Sequence, residues 1–117
     1  MKFFTGTRGG WHKYPQNPVL GGTLGVCFDI SLLKADNTFY MYFSWRTQKS
    51  VAVVTSTDGV QWSEPVICVA PQPDPLGRED DINRPAVVQK DGVYHMWYTG
   101  QYKAGQPDGT SHLFHAV

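Results

Sequence analysis

Three groups of residues in this sequence have types and spacings that could do chemistry. The first is Asp29, an acid set between Cys27-Phe28 and Ile30-Ser31-Leu32-Leu33. A carboxylate among apolar neighbours is costly unless it is used or paired. Its bland alternative is a strand-start turn residue that caps local backbone amides. The second group is Glu79-Asp80-Asp81, which leads into Asn83-Arg84-Pro85. Such an acidic run is either a solvated loop or one side of a polar site, where the fork of Arg84 could hold a carboxylate or hydroxyls. The third is Trp45-Arg46 together with Gln101-Tyr102.

Other chemistries are excluded by spacing. Of the four histidines, His112 and His115 lie three apart in an expected strand and so point to opposite faces, which is no chelate. His95 sits within an aromatic run and reads as a hydrogen-bonded core residue. No zinc site, other metal or cofactor is expected. Cys27 and Cys68 are too few for a disulfide scaffold and read as two buried free thiols. There is no Gly-x-Ser-x-Gly elbow, phosphate loop or dinucleotide fingerprint, and Gly21-Gly22-Thr23-Leu24-Gly25 lacks a following helix.

The elements that must position these residues are strands. The longest helical candidate, around Leu32-Leu33-Lys34, runs into the Asp36-Asn37 turn signal. Strands are expected over residues 29–34, 38–45, 50–55, 65–70, 85–89, 93–99 and 111–117, with turns at Asp58-Gly59 and Asp91-Gly92 and a loop over 71–83. An outer strand is expected near Val19, making eight. Phe39-Tyr40-Met41-Tyr42-Phe43 and Tyr94-His95-Met96-Trp97-Tyr98 are apolar on both parities, which predicts sheets covered on both faces.

The chain also echoes itself. A shift of 55 residues lays Ile30-Ser31-Leu32-Leu33 on Pro85-Ala86-Val87-Val88, Asp36 on Asp91, and Met41-Tyr42-Phe43-Ser44 on Met96-Trp97-Tyr98-Thr99. Repeated units of four antiparallel strands are the logic of β-propeller blades. The expected fold is therefore all-β, with about two such blades: 1–27 as lead-in and outer strand, 28–70 as a full blade, and 71–117 as three strands of a second.

Asn17-Pro18-Val19-Leu20, Phe28-Asp29, Tyr40-Met41-Tyr42-Phe43-Ser44 and Thr55-Ser56-Thr57-Asp58-Gly59-Val60-Gln61-Trp62 resemble the five-bladed propeller glycoside hydrolases. The flavour is that of family 43, with families 32, 68 and 130 as relatives. Asn83-Arg84-Pro85-Ala86-Val87-Val88 and the run from Gly92 to Gly100 look like the next blade. The resemblance implies an Asp at the inner end of a blade's first strand acting with a second acid across a glycosidic bond. Asp29 matches that Asp, and Glu79, Asp80 or Asp81 is the candidate acid. Trp45 is the candidate sugar platform, and Arg84, Arg46, Asn83, Gln101 and Tyr102 are candidate substrate-binding residues.

The sequence has 117 residues, with four Trp, six Tyr, six Phe, twelve Gly and eight Pro. Ten basic residues balance ten acidic ones, which argues against nucleic acid as a partner. No apolar run approaches the roughly 20 residues of a membrane span, and Met1-Lys2-Phe3-Phe4 opens no signal core, so a cytoplasmic location is favoured. Two blades cannot close a ring. Either the chain is a piece of a larger gene product, or dimers or trimers complete the propeller by self-association, the Asn17–Leu20 segment supplying a missing strand. Carbohydrate is the expected partner. Three readings stand: a glycosidase-like enzyme, a non-catalytic carbohydrate-binding oligomer, and an inactive fragment. A symmetric ring of Asp29 copies works against the first, since the mechanism needs an acid and a base of different character.

Overall fold

The structure is a computed structural model that describes residues 6–102 and 110–117. Seven strands follow in order: β1 (Cys27–Ala35), β2 (Thr38–Trp45), β3 (Ser50–Ser56), β4 (Val66–Val69), β5 (Asp81–Lys90), β6 (Val93–Gln101) and β7 (Ser111–Ala116). Their β-branched and aromatic content suits a pleated, half-buried surface. They form two antiparallel sheets, β1-β2-β3-β4 and β5-β6-β7. The tight turns fall where Asp and Gly tolerate left-handed backbone. Asp36 has φ 53° between β1 and β2, and Asp91 and Gly92 have φ 52° and 76° between β5 and β6. The latter pair suits a primed two-residue turn. The loop after β3 is held by the Asp58 carboxylate, which accepts from the backbone of Val60 and Gln61 at 2.8 and 2.9 Å. Those bonds hold Asp58 below the usual carboxylate range.

The outer strand expected near Val19 does not form; residues 19–20 are a bend. Pro18 has no N–H to give a ladder, and Gly21 and Gly22 follow with φ 127° and 65°. Instead the segment lays Leu20 across the first sheet, against Met41, Phe43, Ala52 and Val54.

The two sheets pack face to face. Val51 of the first meets Ile82, Val87, Met96 and Tyr98 of the second, with Leu33, Tyr42 and Phe114 around them. Polar side chains of the first sheet also take up backbone N–H groups of β5. Ser31 Oγ accepts from Val87 N at 3.1 Å, and Ser44 Oγ from Arg84 N at 2.7 Å. The opposite face of the first sheet carries the cluster under Leu20 and Trp62, yet Ile30 and Leu32 stay 68% and 56% exposed there.

The 55-residue echo is structural. β1 is interrupted by a bulge between Phe28 and Ser31, and β5 by one between Asn83 and Ala86. At the matching positions Asp29 and Arg84 have φ 57° and 55°.

Neither cysteine is fully buried, contrary to expectation, though both are free: Cys27 is half-buried and Cys68 exposed. Cys68 lies on β4, a four-residue strand at the sheet edge. Its sulfur still turns inward, donating to Val51 O at 3.4 Å, and burial pushes the thiol up to about 11. His95 is hydrogen-bonded, but on the second sheet's outer face rather than in the core. Its Nδ1 lies 3.1 Å from His115 Nε2, and its ring stacks on Trp97.

Candidate functional site

At one end of the sheets, β1 and β5 begin beside the end of β2, and the two bulges turn Asp29 and Arg84 out of their strands. A left-handed conformation at a non-glycine residue costs on the order of 1–3 kcal/mol and persists where the surroundings over-determine it. Here Ser44, fully buried at the end of β2, supplies that determination. Its hydroxyl donates to Asp29 Oδ2 at 3.2 Å while its oxygen accepts from Arg84 N. Arg84 Nε stands 3.9 Å from the same carboxylate oxygen. The Asp29 and Arg84 side chains remain 30% and 61% exposed, so both reach solvent.

The arrangement continues through β5. Arg84 Nη1 donates to Asn83 Oδ1 at 3.4 Å, and Asn83 Nδ2 donates to Gln101 Oε1 at 3.1 Å and Asp81 Oδ1 at 3.5 Å. Asp81 is only 11% exposed and takes both guanidinium arms of Arg46, at 2.6 Å each. Those hydrogen bonds push the Arg46 guanidinium further up, and burial only partly opposes them. Arg46 also lies over the Phe28 ring, 5.8 Å from its centre.

Six of the residues singled out by sequence thus share one hydrogen-bonded arrangement: Asp29, Arg46, Asp81, Asn83, Arg84 and Gln101. Glu79 and Trp45 stand apart from it. Glu79 Oε1 accepts the Tyr98 hydroxyl at 2.9 Å; burial, then Glu79, pushes that phenol up to about 12. Trp45 is half-buried, donating from Nε1 to Leu24 O at 2.7 Å and tilting against Phe43. Its edge and one face are therefore occupied by the protein itself. Tyr102 meets His112 edge-on. Asp80 is half-buried in the turn before β5.

Ser44 escaped the reading of the sequence, although the repeat marks it: the echo puts Thr99 at its place, a second small hydroxyl residue at the same strand end. Among the described residues, no group of three His, Cys, Asp or Glu is placed to hold a metal ion. Chemically, the arrangement offers one open carboxylate and one open guanidinium beside a largely buried amide pair, groups that can accept from and donate to a polar ligand.

Two solved structures are similar to this chain. The GH43 endo-arabinanase from Bacillus licheniformis superposes with a TM-score of 0.52 at 22% identity, over 75% of this chain and 31% of that one. An exo-1,5-alpha-L-arabinanase from a bovine ruminal metagenomic library gives 0.49 at 17% identity, over 73% of this chain and 34% of that one. No protein-family model and no curated protein matches the sequence. The fold is that of neighbouring β-propeller blades. The chain spans about a third of the length of each of these arabinanases.

Proposed function

We propose that the chain is a carbohydrate-active propeller module whose ligand is a polysaccharide, bound at the Asp29–Arg84 end of the sheets. The observation that supports it is the aiming of Asp29: a carboxylate held out to solvent by a left-handed bulge and oriented by a buried serine. In this reading Asp29 is the catalytic carboxylate, and Arg84 with Gln101 holds sugar hydroxyls. Asp81 has both oxygens taken by Arg46, so it positions Arg46 and Asn83 rather than donating a proton to a leaving group. Glu79 is then the remaining acid candidate.

A second reading, a non-catalytic carbohydrate-binding module, is favoured by that same occupation of Asp81. The experiment separates the two. Reducing-sugar release from arabinan, arabinoxylan, mannan and fructan is measured beside NMR titration with oligosaccharides of each. Enzymatic function predicts release that Asp29→Asn abolishes while resonance shifts at Gln101 persist. Shifts without release, lost in Arg84→Ala, identify the binding module. Release that survives Asp29→Asn removes the catalytic role, and no shift with any sugar removes both readings.

A further inference from the structure

The junction between the two sheets is one of a repeating kind, and the chain carries residues matching both halves of a second one on its outer faces. In the junction already made, the first sheet offers Leu33 and Tyr42 to Val87, Met96 and Tyr98 of the second. Moved by 55 residues, Leu33 and Tyr42 become Val88 and Trp97, on the outer face of the second sheet. Moved back, Val87, Met96 and Tyr98 become Leu32, Met41 and Phe43, on the outer face of the first. Each substitution keeps the chemical type: aliphatic for aliphatic, methionine for methionine, aromatic for aromatic.

Both outer faces leave apolar side chains exposed. On the second sheet Val88 and Trp97 are 48% and 46% exposed, and Leu113 is 81%. Trp97 is braced flat by the stacked ring of His115, 4.9 Å away. On the first sheet Leu20 and Trp62 already cover Met41 and Phe43, 9% and 0% exposed, but Ile30 and Leu32 stay open at 68% and 56%, beside a groove of about 590 Å³ walled by residues 17–20. Contiguous exposed apolar surface of this kind marks an interaction site.

We propose that the partner is a second copy of this chain, docked head to tail: the Val88–Trp97 face of one copy onto the Ile30–Leu32 face of the next. This goes beyond the carbohydrate reading and stands without it. The polar stitching supports the same partner. Where Ser44 receives Arg84 N within the chain, the repeat places Thr99 of one copy against the Asp29 backbone of the next. The Ser31 bond has no such counterpart, because the repeat puts Ala86 there. Because the two faces differ, the contact is heterologous, and it closes only if the rotation per copy allows a ring.

The test is light scattering of the full chain, from micromolar to near-millimolar concentration. Wild type is expected at two or three times its 13.1 kDa mass. Leu32→Glu blocks one face and Trp97→Glu the other; each alone is expected to be monomeric. An equimolar mixture of the two retains one intact pair of faces and is expected to form a one-to-one dimer. Far-UV circular dichroism checks the fold, and Ile30→Glu with Leu113→Glu is a second pair at more exposed positions. A monomeric wild type throughout the range overturns the proposal. So does association lost in only one of the two variants, which means a contact between like faces, or a mixture that stays monomeric.

Discussion

Removing Arg46 while keeping its volume tests whether the Arg46–Asp81 pair joins the two sheets or merely decorates them. In Arg46→Met the Asp81 carboxylate, 11% exposed and bonded through both oxygens, loses both charge-assisted bonds. Breaking a fully buried pair by deleting one partner costs about 3–5 kcal/mol, because the other charge is stranded. Arg46 itself is 24% exposed, so some water reaches the gap, and Asn83 Nδ2 at 3.5 Å offers only a weak substitute. The expected loss is about 2–3 kcal/mol. For a chain of this size that lowers the melting temperature by about 8–24 °C, at roughly 4–8 °C per kcal/mol. Urea and thermal unfolding at one fixed protein concentration give the number. Pairing the change with Asp81→Leu, which removes the stranded charge, is expected to restore most of the stability. A loss under about 0.5 kcal/mol in Arg46→Met, the value of an exposed pair, refutes the reasoning.

Two further outcomes follow from the loop before β5. Asp74 accepts from Arg78 through Nε, Nη2 and backbone N at 2.8–3.0 Å, which holds its carboxyl down to about 2. A depressed folded value means stability present above the ordinary 3.8 and lost as pH falls toward 2. Asp74→Asn is therefore expected to flatten the acid limb of a stability–pH curve between about 4 and 2, and an unchanged limb counts against the interaction. Gly100 lets β6 pass close to that loop: a Cβ there would stand 2.6 Å from Arg78 O and 2.7 Å from the Phe114 ring. Gly100→Ala is expected to cost about 1–3 kcal/mol in urea unfolding, and a neutral result means the loop yields freely.

Most of the strand pattern was legible because it is local. Asp36-Asn37 and Asp91-Gly92 are turn chemistry within the residues themselves. The double-sided apolar run of β2 is packed on two faces as expected, whereas that of β6 packs on one and leaves Trp97 46% exposed on the other. The site was legible in its membership and not in its wiring. Asp29 and Arg84 are marked by the repeat, but no local signal says that Arg46 reaches Asp81, 35 positions away. That pairing depends on how the loop before β5 returns across the end of β2. The segment around Val19 misled for the opposite reason. Its composition suits a strand, yet a strand needs a free ladder, and the flanking Pro18 and Gly21-Gly22 turn it onto the sheet face instead. Trp45 shows the same limit, since an indole reads alike in sequence whether it meets a ligand or the Leu24 carbonyl.

The paired bulges have a consequence for how such a site changes over time. At both bulges the direction in which the side chain leaves the backbone is set by main-chain geometry, φ 57° at Asp29 and 55° at Arg84. One blade presents an anion there and the other a cation, from the same scaffold position. Aim and charge are thus inherited separately: a duplicated blade keeps the first while a single codon alters the second. A propeller built this way can redistribute its polarity around the axis, one blade at a time, without redesigning a strand.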